Sequence, residues 1–168
     1  KVEFLILRNL LYNEEYVRKV IPFIKADYFE DYNQKVVFEE IVNFVEKYNK
    51  TLTQEVLCIE TEKRQDINDS SFQEITKLIS SLQNTPSEFN WLIDTTEKWC
   101  RDRAIYLALM ESIQLADGKD EAKGRDAIPD ILSDALAVSF DSNVGHDYLT
   151  DYEERYESYH RKEDKIPF

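Results

Sequence analysis

The residues best suited to chemistry in this 168-residue sequence are its two histidines, which lie near the C-terminal end. Glu157 and His160 have the Glu-x-x-His spacing that places two metal ligands on one helical face in di-iron bundles. Such a site needs a second pair, and His146 has no glutamate three residues before it. His146-Asp147 would supply only half of a hydrolytic metal site. The sequence therefore predicts no metal site.

The spacing of the glycines indicates whether the sequence contains a nucleotide-binding loop. A Walker A motif has Gly, four residues, then Gly-Lys-Ser/Thr, because backbone amides wrap a phosphate that the lysine also contacts. Gly118 and Gly124 have one residue too many between them, and Arg125 follows Gly124. The motif is absent from this sequence, so the chain is predicted to bind no nucleotide cofactor.

The other reactive side chains have explanations that do not involve catalysis. Cys58 and Cys100 lack the spacing of metal ligands and lie within apolar patterns, so we interpret them as buried free thiols of a reducing compartment. No Ser/His/Asp set can be assembled. Adjacent acidic residues diverge on a helix, which favours solvated faces over acid–base dyads. These pairs are Glu14-Glu15, Glu39-Glu40 and Glu153-Glu154.

The composition indicates a folded acidic protein. Hydrophobic residues make up 42% of the chain, and the formal net charge is −13. A surface that binds nucleic-acid phosphates needs the opposite charge, so direct binding to duplex DNA is not expected. The acidity fits either solubility or a partner with a basic face. The sequence contains no apolar run of membrane-spanning length and no signal peptide.

Hydrophobic periodicity predicts an all-α fold that begins with a small globular lobe over residues 1–84. Only three Gly and four Pro interrupt the chain, which favours long helices over short strands. The predicted boundaries are a helix end near Tyr12, caps at Asn13 and Thr53, a break at Pro22, a loop over 27–32, and a capping box from Ser71 to Glu74.

A long antiparallel helical hairpin is predicted over residues 85–140. Thr85-Pro86-Ser87-Glu88 has the pattern of a helix start, and no breaker follows before Gly118, which gives about 30 residues or about 45 Å. After a polar loop over 117–126, apolar residues from Ile128 to Phe140 repeat on one face and would fold back along the long helix.

The long helix is also predicted to form an oligomer interface, because its apolar stripe has heptad-like spacing and exceeds what one partner helix can cover. The alternative is that the lobe over residues 1–83 covers the remainder. The predicted interface residues are Phe89, Leu92, Trp99, Tyr106, Met110 and Ile113.

The last predicted part is a linker segment over residues 141–168. Residues 141–145 have the composition of a flexible joint, and an amphipathic helix follows from about Asp147. So short a helix needs a partner for its aromatic face. The predicted linker-helix interface consists of Tyr148, Leu149, Tyr152, Tyr156 and Tyr159.

Two stretches resemble known proteins. The sequence from Ala127 to Phe168 resembles the segment before the ATPase domain in replicative helicases of T-even-type bacteriophages, which belong to the DnaB-like superfamily. The resemblance is most specific in FDSNVGHDYLTDYE, Phe140 to Glu153. The stretch from Asp27 to Leu57 is similar to the DnaB-type N-terminal domain in its helical pattern.

The resemblance implies a function that the composition does not reveal. Such helicases are hexameric rings that move 5′ to 3′ on single-stranded DNA, driven by ATP or GTP with Mg²⁺. Here the motor would lie beyond Phe168, and this fragment would have no cofactor. Its N-terminal collar would serve ring assembly and primase docking, would also meet a helicase loader, and would reach single-stranded DNA only through the motor. The linker helix would pack on a neighbouring motor domain. The implied location is the cytoplasm of the infected bacterial host, without a membrane.

Two other classes of function stay open at this point. The net charge of −13 also fits a free-standing acidic helical adaptor or a protein that mimics DNA. A small helical enzyme is disfavoured by the missing site. The codons after Phe168 separate a helicase from an adaptor, because only the former continues into a Walker A motif.

Overall fold

The computed structural model describes residues 1–118 and 124–140, and every regular element in these residues is helical. The predicted all-α class is confirmed. The α-helices are α1 (Val2–Tyr12), α2 (Glu14–Val20), α3 (Tyr32–Tyr48), α4 (Gln54–Glu62), α5 (Asp69–Ser80), α6 (Phe89–Ala116) and α7 (Ile128–Leu136). Short 3-10 segments occur at Ile21–Phe23, Ala26–Tyr28 and Arg125–Ala127. None of the helices described is both long and apolar enough to cross a membrane.

Two helix starts lie where local side-chain chemistry predicts them. The side chain of Asn13 accepts a hydrogen bond from the Tyr16 backbone N–H at 3.0 Å and begins α2. The Thr53 hydroxyl accepts one from the Val56 N–H at 3.2 Å and begins α4. Each cap satisfies a backbone donor that the helix leaves free in its first turn.

Two other predicted helix starts are wrong by a few residues. Asn68 caps α5 by accepting from the Ser71 N–H at 2.8 Å, so Ser71 lies inside the first turn and does not cap it. Helix α6 begins at Phe89, after Glu88, whose carboxylate accepts from the Trp91 N–H at 2.7 Å. In both places the side chain that caps the helix is not the predicted one: Asn68 replaces Ser71, and Glu88 replaces Thr85, as the acceptor for a free N–H of the first turn.

The described residues divide into two units, Lys1–Cys100 and a second that begins at Arg101, and the division falls inside α6. In the first unit α3 is the central helix and contacts α1, α4 and α5. Its buried apolar side chains follow helical spacing and are Val36, Val37, Phe38 and Ile41.

The first unit extends past residue 84, the predicted end of the lobe, because the first part of α6 is buried in it. Leu92, Thr96 and Cys100 have no measurable solvent exposure, and Trp99 is 8% exposed. This part of the long helix therefore belongs to the core of the first unit.

Arg64 connects α3 to the segment after α4. Its guanidinium contacts the carboxylates of Glu39 at 3.1 Å, Glu40 at 2.8 Å and Asp66 at 2.7 Å. The prediction that Glu39 and Glu40 form a solvated face is therefore wrong for the buried Glu40. An arginine distant in sequence neutralises both carboxylates, so the two side chains share one partner.

In the second unit, two arginines connect the C-terminal part of α6 with the segment around α7. The Arg101 Nε–H donates to the Val138 carbonyl at 2.9 Å, and the Arg125 Nε–H donates to the Ala116 carbonyl at 3.0 Å. The first bond joins the start of this part of α6 to Val138, which follows α7, and the second joins the end of α6 to Arg125, which precedes α7. Contacts in this order are typical of two antiparallel segments. Helix α7 ends at Leu136, short of the predicted Phe140. The hairpin over residues 85–140 stays a prediction.

Candidate interaction surface

Four large apolar side chains are exposed together on the C-terminal part of α6. The exposed fractions are 46% for Tyr106, 48% for Leu109, 42% for Met110 and 55% for Ile113. Their separations of three, four and seven residues place them on one face over two helical turns. We call these four residues the α6 stripe. All four belong to the second unit.

The predicted oligomer-interface residues fall into different environments. Leu92 and Trp99 are buried in the first unit, where they are core side chains and are not available to a second copy of the chain. Phe89 is partly buried. Tyr106, Met110 and Ile113 are exposed and belong to the α6 stripe.

Trp99 is buried because aromatic residues distant in sequence surround it. Its ring centroid lies 4.9 Å from that of Phe29 and 6.0 Å from that of Tyr28, which it meets edge to face. Its indole N–H donates to the Glu3 carboxylate at 3.2 Å. Contacts of this kind stabilise a core, and the indole N–H has the acceptor that a buried tryptophan needs.

Leu109 was missing from the predicted interface, although its position follows the same spacing. It lies three residues after Tyr106 and four before Ile113, so helical periodicity alone identifies it. The Arg103 guanidinium lies 4.9 Å from the centroid of the Tyr106 ring, a cation–π contact that covers one side of this ring.

Neither cysteine has the lowered pKa of a reactive thiol. Burial, together with the nearby Glu97 carboxylate, raises the pKa of the Cys100 thiol to about 12. Burial also raises the pKa of Cys58. Both thiols are therefore protonated at neutral pH, whereas a cysteine nucleophile reacts as the thiolate. Over residues 1–118 and 124–140, no three His, Cys, Asp or Glu side chains converge on a possible metal position.

Other predicted features lie outside the described residues. They are the linker-helix interface of Tyr148, Leu149, Tyr152, Tyr156 and Tyr159, and the residues His146, Glu157 and His160.

The comparison with known proteins relates the chain to a replicative helicase. No protein-family model matches the chain. The DnaB-like replicative helicase of Enterobacteria phage T4 is 34% identical to it over an alignment 172 positions long, which covers 98% of this chain. The predicted resemblance to a phage replicative helicase is confirmed. The chain spans 36% of the length of that helicase.

Proposed function

We propose that this chain is the N-terminal collar domain of a hexameric 5′–3′ replicative DNA helicase, and that it serves ring assembly and primase docking. The match of nearly the whole chain to about a third of a replicative helicase carries the proposal. The missing Walker A motif supports it, because the motor and its ATP or GTP with Mg²⁺ would then belong to the rest of the protein.

Self-association in the collar would use the α6 stripe. Its four apolar side chains lie on consecutive turns, and burying apolar surface contributes about 25 cal/mol per Å². A pair of identical helices can cover such a stripe by a two-fold arrangement, in which each copy presents the same residues. The clustering distinguishes the stripe from single exposed apolar residues, which are ordinary on protein surfaces.

Light scattering on the chain, with and without Met110→Glu and Ile113→Glu, tests this assembly. We expect the unchanged chain to form dimers or larger assemblies as its concentration rises, and the double variant to stay monomeric with the same melting temperature. Ile59→Glu is the matched control, since Ile59 is 47% exposed on α4, outside the stripe. An unchanged chain that is monomeric at all concentrations would contradict self-assembly through these residues.

The linker segment would pack on the motor domain of a neighbouring subunit. We therefore expect Tyr152→Ala with Tyr156→Ala to leave the melting of this chain nearly unchanged. In the full-length protein the same pair should loosen the hexamer and lower DNA-stimulated ATPase activity. Unfolding of the isolated chain by the pair would assign these tyrosines to the local core instead.

Two observations test whether a separate motor domain follows this chain: the coding sequence after Phe168, and the activities of the chain alone. A Walker A motif within about 50 residues of Phe168 is expected for a helicase. A stop codon there would favour the acidic adaptor. The chain alone should not hydrolyse ATP, because it lacks the phosphate-binding loop. It should bind single-stranded DNA weakly at physiological salt, because its net charge of −13 opposes phosphate binding. A tight, salt-sensitive complex with DNA would count against the collar.

A further inference from the structure

A small pocket in the first unit lies between α1 and the end of α5. It has a volume of about 330 Å³ and is lined by Phe4, Arg8, Ser81 and Leu82. Phe4 and Arg8 are four residues apart on α1 and therefore share one face. Phe4 is 39% exposed, so an aromatic ring and a guanidinium meet at this opening.

Arg8 has no acceptor for its buried Nε–H within the described part of the chain. This is unusual in so acidic a protein, where Arg18 pairs with Glu14 and Arg64 contacts three carboxylates. A buried donor without an acceptor costs about 1–3 kcal/mol, and more when the group is charged. An anion in the pocket would give the charged Arg8 side chain the counterion that the described residues do not supply.

The polar groups of the pocket wall make hydrogen bonds to other parts of the first unit and none to the Arg8 Nε–H. The Leu82 carbonyl accepts from the Tyr12 hydroxyl at 2.8 Å and from the Gln54 side-chain amide at 2.7 Å. The Ser81 hydroxyl donates to the Leu78 carbonyl at 2.6 Å. These bonds hold the wall in place, and Arg8 lines the pocket with its Nε–H unpaired.

We propose that this pocket binds the C-terminal residue of a partner polypeptide, with the terminal carboxylate on Arg8 and an apolar side chain against Phe4 and Leu82. A carboxylate accepts two parallel N–H bonds from one guanidinium. The volume lies at the lower end of ligand pockets, roughly 300–1,000 Å³, and fits a single residue.

A chain terminus fits this pocket better than an internal acidic side chain. An apolar C-terminal residue has its carboxylate and its apolar side chain on the same Cα atom, so both reach adjacent walls at once. An internal Asp or Glu brings mainly its carboxylate, and the apolar wall of Phe4 and Leu82 stays uncovered. Extra acidic residues in the partner would be repelled by the net charge of −13.

The test uses the 168-residue chain and short peptides of Gly and Ser that end in leucine. In a ¹H–¹⁵N spectrum that includes arginine side chains, we expect the peptide with a free carboxylate to shift the Arg8 Nε–H signal saturably at millimolar concentration. The same peptide with a C-terminal amide should bind at least about tenfold more weakly, a loss of about 1.4 kcal/mol. An amidated peptide with glutamate before the leucine should bind as weakly as the plain amide.

Variants of Arg8 complete the test. Arg8→Gln should abolish binding, and Arg8→Lys should retain part of it, since lysine keeps the charge and loses the paired N–H geometry. Arg18→Gln, which changes an exposed arginine elsewhere on the first unit, should bind like the unchanged chain. Melting curves establish that each variant is folded. If a variant does not fold, the comparison of the peptides on the unchanged chain still tests the proposal. Equal binding of the amide, equal binding of the internal glutamate, or an Arg8 signal that no peptide moves would each overturn the proposal.

Discussion

The hydroxyl oxygens of Tyr16 and Thr96 lie 2.6 Å apart in the core of the first unit, although 80 residues separate them in sequence. The Thr96 hydroxyl also lies 2.8 Å from the Leu92 carbonyl, to which it donates its one proton. Tyr16 is therefore the donor to Thr96. This chain of hydrogen bonds joins α2 to α6 and satisfies two hydroxyls that have no access to water.

Removal of the Thr96 hydroxyl should destabilise the chain more than removal of the Tyr16 hydroxyl. Thr96→Val leaves the buried Tyr16 hydroxyl without an acceptor and should cost about 1–3 kcal/mol, whereas Tyr16→Phe loses one hydrogen bond at about 0.5–1.5 kcal/mol. The double variant should cost less than the sum of both. Urea unfolding measures all three, and strictly additive costs would show that the two hydroxyls are not coupled.

Truncation of a side chain should cost much more stability in the first part of α6 than in the second. Trp99→Ala removes the ring between Tyr28 and Phe29 and should lower the free energy of unfolding by about 3–5 kcal/mol. Met110→Ala acts on an exposed side chain and should change it by less than about 0.5 kcal/mol at concentrations where the chain is monomeric. Similar costs at the two positions would contradict this division of the helix.

Local rules predict some of these features well. The caps at Asn13 and Thr53 depend on a side chain and backbone amides a few residues away, so the sequence contains all the groups involved. The long uninterrupted α6 follows from the lack of glycine and proline between Phe89 and Ala116. These predictions need no knowledge of tertiary packing.

Burial along α6 could not be predicted in the same way. The apolar spacing is similar before and after Cys100, and it predicts one continuous seam from Phe89 to Ile113. Contacts with Tyr28 and Phe29 decide that Trp99 is buried, whereas Met110 is exposed. Such contacts depend on how distant helices pack, which periodicity does not encode. The unpaired Arg8 is hidden from the sequence for the same reason.

Alkaline pH should destabilise the first unit through Cys100. Burial raises the pKa of this thiol from an ordinary value of 9.0 to about 12. Because the folded chain holds the proton more tightly, this contribution to stability is complete below about pH 9 and is lost as the pH rises towards 12. The free energy of unfolding should fall by up to about 1.4 kcal/mol per pH unit in this range.

Cys100→Ala separates this effect from others. The pKa values of Cys58 and Tyr16 are also raised by burial, so the variant should still lose stability at alkaline pH, but with a smaller slope between pH 9.0 and 10.0. The comparison concerns the slope of unfolding free energy against pH and not its absolute value, because the smaller side chain also leaves a void. Identical slopes for the two proteins between pH 9.0 and 10.0 would rule out the thiol as the cause.

Arg64 should matter more for stability than Arg18, although each arginine pairs with acidic residues. Arg64→Leu leaves Glu40 buried without its cation, which we expect to cost about 2–3 kcal/mol because the pair is partly accessible to water. Arg18→Leu is the matched control: Arg18 and Glu14 are exposed on one helix, and such pairs contribute about 0–1 kcal/mol. Equal costs in urea unfolding would mean that Glu40 does not need Arg64.

The ion pair between Arg64 and Asp66 predicts that the free energy of unfolding falls at acidic pH. Hydrogen bonds from Arg64 lower the pKa of Asp66 below its ordinary value of 3.8. The stabilisation from this carboxylate is therefore complete above pH 3.8 and is lost as the pH falls through the lowered pKa, since the unfolded chain binds the proton first. Asp66→Asn should reduce stability at neutral pH and flatten this acid dependence. Because Arg64 keeps its contacts with Glu39 and Glu40 in that variant, the loss should be smaller than for Arg64→Leu. A larger loss would mean that Asp66 contributes more to stability than the contacts of Arg64 with Glu39 and Glu40.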